Sequence, residues 1–311
     1  MTEQSFVGGA RHLKYMFGAV TQIELRNFLE VSTIDDEARK QEIRKNWPAA
    51  VARFEELRRV EAGLPDSISS RPLPAAGDER AQALRRDPTF ATTFGNYPIS
   101  FEEVEIDKLV ACQRSVHVEF VRYLIDRYKQ QMKDDLFSFC LAQSQDTPAI
   151  SIGRTAQNAF TASSENPALR FLGAFEEPYR PGMLQVDVPP SQAVRAIVLV
   201  LGFGSSTANV YRVGRRMILN NGFHRLYALR ASGKAFAPVV VQQVTHPEVE
   251  LPPQIAELPR EYLVENPRPG LMKDFFDDGL TCEVAQRGFL KALQIGWGIN
   301  ESMVPRGPGR G

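Results

Sequence analysis

MILNNGFHRLYALRASGKAFAPVVV, residues 217–241, reads as strand, glycine turn, short helix and strand. Met217 to Leu219 is apolar, and Asn220-Asn221-Gly222 supplies the turn chemistry. FHRLYALRASG forms a helix with Leu226 and Leu229 inward and Gly233 as its stop. Pro238 then precedes a strand, VVVQQV (239–244). A strand that ends in a glycine turn and opens a helix presents unpaired backbone N–H groups and the positive end of the helix dipole, a common basis of phosphate sites. Gly222 permits close approach. His224 and Arg225 occupy the first helical turn, where a cation is disfavoured by about 0.3–1 kcal/mol and an anion would reverse the penalty. Arg225 can grip phosphate oxygens bidentately, and His224 can donate a hydrogen bond or shuttle a proton. Asn-Gly is equally the ordinary tight-turn pair, so spacing alone leaves an anion site and a plain turn both open.

Working upstream, ANVYRVGRRMIL (208–219) reads as one strand after a GSST turn, with Arg212 and Arg216 on one face and Arg215 on the other. Either face can add positive charge beside the turn. MLQVDV (183–188) alternates, AIVLVLGF (196–203) is an apolar run typical of a buried strand, and GFGSST (202–207) reads as a hairpin turn. Earlier still, SFEEVEI (100–106) is a strand. SVHVEFVRYLIDRYKQQM (115–132) is a helix with Val118, Val121, Leu124, Ile125, Tyr128 and Met132 on one face. Residues 133–182 read as an insertion or lid with one helix near 136–142.

At the N-terminus, Ser32 to Gly63 reads as helix, capped by Thr33 with Asp36 three residues on, and kinked or divided by Pro48. The expected layout is a helical N-terminal region (1–63), a Pro-rich connector (64–100), an α+β domain (101–246) with the insertion at about 133–182, and a C-terminal extension (247–303). That extension holds one helix from near Thr281, with Ala285, Phe289 and Leu293 on one face, and a disordered tail (304–311) follows.

Composition narrows the partners. Lys plus Arg and Asp plus Glu are both 37, so a broad polyanion-binding face is not indicated. The apolar run 196–203 is too short to span a bilayer and no secretory signal is visible, so a cytoplasmic protein with no membrane partner is expected. Three widely spaced cysteines fit reduced thiols, and four histidines without HxxxH or HExxH pairing suggest no metal site.

Residues 217–241 resemble the characteristic segment of the ParB/sulfiredoxin-like superfamily. There a strand leads into Gly-x-His-Arg or Gly-Glu-Arg-Arg, then a short Ala-rich helix, a glycine and a strand beginning near proline. VEIDKLVACQRSVHVEFVRYL (104–124) resembles the opening of such domains, and Gln113-Arg114 is similar to the Gln-Arg pair before the DGQHR sequence of phosphorothioation-associated proteins. The resemblance implies an α+β fold, a small mixed sheet with helices, beside the helical N-terminal region and the C-terminal helix.

It also implies nucleotide binding, since ParB proteins bind CTP while sulfiredoxins and free-serine kinases of this fold use ATP or ADP. Carried onto this chain, Asn220, Asn221, Gly222, His224 and Arg225, with Gln113 and Arg114, hold the phosphates, and His224 and Arg225 are the catalytic pair. A carboxylate such as Glu103, Glu105 or Asp107 completes the site. Two departures bear on chemistry. Phe223 stands where sulfiredoxin has its reactive cysteine, and Asn221 stands where the kinase and DGQHR forms have Asp. No helix-turn-helix of the ParB kind is legible between 247 and 311. The expected function is phosphoryl transfer or nucleotide hydrolysis on ATP or CTP, with magnesium if catalytic. The alternative is a non-catalytic, DNA-associated or regulatory binding module. Expected partners are a nucleotide or other small phosphorylated ligand, DNA under the alternative, and a second copy of the chain as a homo-oligomer.

Overall fold

Residues 11–94, 98–131, 135–141, 149–166, 169–180, 195–203, 206–288 and 290–302 are described by the computed structural model. Met132, MLQVDV (183–188), Gly204, Ser205 and the tail expected at 304–311 lie outside them. The chain is α+β. It divides into two units, one of Gly8–Gln145 and Ser205–Gly288, the other of Met1–Val7, Asp146–Gly204 and Phe289–Gly311. The inserted stretch therefore runs to Gly204, beyond the expected 133–182.

The larger unit opens with β1 (Arg11–Tyr15), α1 (Gln22–Val31) and α2 (Glu37–Val60). Thr21 and Glu24 cap α1 reciprocally. Asp36 rather than Thr33 caps α2, accepting from the Arg39 N–H at 2.8 Å. Thr33 is buried and donates its hydroxyl to the Leu29 carbonyl. α2 runs on through Pro48 as one helix, so of the kink or division expected there the division does not occur. Buried Ile43, Ala50, Phe54 and Leu57 anchor it on both sides of the proline, so packing outweighs one lost ladder bond.

The stretch 64–100 is part of the domain rather than a connector. It contains β2 (Ser70–Pro72), α3 (Ala75–Arg85), α4 (Pro88–Phe94) and the start of β3 (Ile99–Glu105), and it contributes Ala81, Phe90 and Phe94 to the core. Next come β4 (Val110–Ala111), β5 (Ser115–His117), α5 (Val118–Asp126) and α6 (Leu136–Leu141). Ser115 to His117 extend because they pair with β1, whereas Val121 and Leu124 bury as helical spacing required.

The smaller unit holds β6 (Ser151–Ala156), β7 (Ala159–Ser164), β8 (Leu169–Pro178) and β9 (Arg195–Phe203). β9 pairs with β8, and the turn expected at 202–207 includes Gly204 and Ser205, outside the described residues.

In the larger unit follow β10 (Asn209–Val213), β11 (Arg216–Asn221), α7 (Phe223–Ala231) and β12 (Phe236–Val244). Residues 208–219 are thus two strands rather than one, turned at Gly214, whose φ is +60°. Then come α8 (Pro247–Glu250), β13 (Gln254–Ile255), β14 (Leu258–Pro259), α9 (Arg260–Glu265) and β15 (Cys282–Gln286), with β16 (Lys291–Gly296) in the smaller unit. The helix expected from Thr281 is replaced by β15 and β16. β15 pairs antiparallel with β1, and Val284 is 1% exposed.

The sheet that positions the turn is six-stranded and mixed, in the order β2-β3-β12-β10-β11-β4. β10 lies parallel to β12, β11 parallel to β4, and the other pairings are antiparallel. Val104, Val210, Ile218, Leu219 and Val239 to Val241 form its core, with Leu226 and Leu229 of α7 fully buried. No helix among the described residues is long and apolar enough to cross a membrane.

Candidate functional site

Gly222 is the hinge between β11 and α7. Its φ of +101° is open to glycine, and a Cβ built there would lie 2.8 Å from Ala208 Cβ and 3.1 Å from Ala208 Cα. The N–H of Gly222 donates to its neighbour Asn221 Oδ1 at 2.8 Å. α7 then begins with no side-chain cap and no acidic residue in its first turn. This leaves the dipole end without the carboxylate or hydroxyl that most helices place there.

Asn220 belongs to the sheet rather than to the turn. Its Nδ2 donates to Asn209 Oδ1 at 2.8 Å, the oxygen that also accepts from Gln242 Nε2 at 3.0 Å. Asn209 in turn donates to the Thr207 carbonyl. The result is an amide ladder across β11, β10 and β12, in which Asn209 and Gln242 are buried.

His224 faces α5. Its Nε2 accepts the backbone N–H of His117 at 3.0 Å, its ring stacks on His117 with centroids 5.4 Å apart, and Phe120 meets it edge-on at 5.3 Å. Burial above all, then His117 and Arg225, push its pKa down to about 3. The imidazole is therefore neutral, with its proton on Nδ1. Arg225 reaches α6, donating from Nη1 to the carbonyls of Cys140 at 3.0 Å and Phe139 at 3.4 Å. A cation on the last turn of a helix meets the negative end of the dipole.

The upstream segment comes to the same sheet edge. Val110 and Ala111 pair with Ile218 and Leu219, and Cys112 Sγ donates to the Leu219 carbonyl at 2.9 Å. Gln113 Nε2 donates to the Ser115 carbonyl. Arg114 Nη1 donates to Glu24 Oε1 at 2.8 Å, while its backbone N–H donates to Glu257 Oε2. The strand carboxylates serve elsewhere, with Glu103 on Arg71, Glu105 on Lys108 and Asp107 on Arg230.

The arginines flanking the turn are engaged too. Arg212 forks onto Glu102, and Arg216, 4% exposed, binds Asp66 and the carbonyls of Leu263, Val264 and Asn266. β10 and β11 pair Arg212 with Met217 and Val213 with Arg216, so the two arginines lie on opposite faces of the sheet rather than on the shared face expected for them. Sequence reasoning missed Ala208, which excludes a side chain at Gly222, and His117, which receives His224. Both depend on contacts between distant segments and carry no local signal. No family model, curated protein or solved structure matches this chain.

Proposed function

We propose that this chain is a ParB/sulfiredoxin-like protein that binds the phosphates of a nucleotide at the first turn of α7, as a binding module rather than a catalyst. The observation that carries the reading is the opening of α7. A nine-residue helix starts at a glycine where any side chain would be strained and would press on Ala208, with neither a cap nor an acid in its first turn. Backbone N–H groups and the dipole then favour an anion, and Asn221 flanks it without negative charge.

The non-catalytic form follows from His224 and Arg225. Phosphoryl transfer requires a group that moves a proton or steadies the transferring oxygens. The accepting nitrogen of His224 is held by the His117 N–H at the end of β5, just before α5, and Arg225 donates to α6. Both residues serve as positioning groups, fixing two helices around the turn. Asn221 in place of Asp also withholds a carboxylate that magnesium would use.

The test is thermal unfolding of the full chain with ATP, CTP, GTP or ADP, with and without magnesium. At least one nucleotide raises Tm, and its nucleotide remains unconverted after prolonged incubation. Absence of any shift with every nucleotide, or conversion of the nucleotide that gives the shift, overturns the reading.

A further inference from the structure

In the larger unit, a cleft of about 510 Å³ lies between α2 and the segment 278–283, and it shares no residue with the turn at Gly222. Small-molecule sites span roughly 300–1,000 Å³. Phe17 and Ile43, at 5% and 2% exposure, form its apolar base, and Lys14, Arg39, Asp278 and Glu283 stand on its walls.

The electrostatics of Lys14 are one-sided. Its side chain is 16% exposed, yet its one ion-pair partner among the described residues, Asp278, is 95% exposed and 3.1 Å away. A shielded ammonium whose counter-ion stands in water is only partly compensated, because solvent screens the pair. Asp278 loses little by turning back to solvent, and Lys14 gains from a carboxylate held inside the cleft. Arg39 is held by the Glu42 carboxylate and the Glu283 carbonyl, so its charge is already paired and Lys14 is the cation that a ligand in the cleft meets.

We infer that this cleft binds a small organic carboxylate, its head on Lys14 in place of Asp278 and its apolar body against Phe17 and Ile43. A carboxylate is chosen because one already occupies the ammonium from outside. The apolar base favours a body of one ring or a short branched chain over inorganic phosphate.

Cys282 lines the cleft while Cys112 and Cys140 are buried, so labelling of Cys282 by a small neutral thiol reagent, resolved by mass, reports this site. Burial pushes its thiol up to about 12, and labelling accordingly needs excess reagent at fixed pH. Benzoate is expected to slow labelling of the full chain saturably, benzamide and inorganic phosphate far less. Lys14→Gln abolishes the protection. Asp278→Asn, at an exposed position that leaves the fold intact, lowers the benzoate concentration for half-protection. No protection by benzoate, equal protection by benzamide, or an unchanged half-protection in D278N overturns the inference. It stands or falls independently of nucleotide binding at α7.

Discussion

The backbone N–H of His117 donates to Nε2 of His224 at 3.0 Å, joining two residues 107 positions apart. The acceptor must be an unprotonated nitrogen, so the bond ties the start of α5 to the neutral state of one imidazole. Around it stand His117 itself, Arg225 on the same helix, and Arg11 and Glu119, which act on His117.

The burial of His224 makes stability depend on acid. Burial lowers the pKa of His224 from 6.5 to about 3 in the folded chain, so between those values the unfolded chain binds the extra proton. The stabilisation is whole above pH 6.5 and is lost as pH falls towards 3, at up to about 1.4 kcal/mol per pH unit for one proton. His224→Gln keeps an acceptor and does not titrate. Urea unfolding at pH 7, 6 and 5 is expected to show the wild type falling more steeply than H224Q; parallel slopes would contradict it.

Gly222→Ala combines a left-handed φ with a contact that cannot relax into space. We expect a loss of about 2–4 kcal/mol, beyond the roughly 1–3 kcal/mol of backbone strain alone. Gly214→Ala is the control, since its φ is also positive but no atom lies within 4 Å of the added Cβ. Its loss should be smaller, and equal losses would show that the wall formed by Ala208 is unimportant.

Arg268 is fully buried and donates to both oxygens of Asp274, at 2.6 and 2.7 Å, and to Glu61 at the end of α2. Arg268→Met leaves Asp274 as a buried, uncompensated carboxylate and should cost about 3–5 kcal/mol. Asp274→Asn added to it removes that charge and still accepts the Leu271 N–H. The double variant is expected to recover part of the loss in urea midpoint. A double variant no more stable than R268M would place the cost in packing rather than charge.

The turn at Gly222 was legible because its signals are local. Asn-Asn-Gly, the inward leucines at 226 and 229, and Gly233 with φ of +82° all act within a dozen residues. The C-terminal strand was not, because Ala285, Phe289 and Leu293 happen to sit four apart. What makes 282–286 extend is pairing with β1 near the other end of the chain. The tip at Gly214-Arg215 lacks an Asn-Gly signal, so two strands read as one. The roles of Arg216 and Arg268 were hidden for another reason. Arginine is ordinarily an exposed residue, and nothing in sequence marks the carbonyls and carboxylates that receive these two.

The two strands of chain that leave for the smaller unit and return from it are tied where they meet. Ala208 N–H donates to the Cys140 carbonyl at 2.8 Å, and Thr207 Oγ1 reaches the Leu141 carbonyl. Ala208 is also the wall behind Gly222, and Cys140 is a carbonyl that holds Arg225. The graft point of the inserted sequence is therefore the floor of the turn itself. Replacing residues 142–205 by a short glycine-serine bridge should leave both knots closed and the larger unit folded, since loop closure grows costly only slowly with length. Whatever sequence is spliced in there, its root touches a helix start that has neither a side-chain cap nor an acid in its first turn.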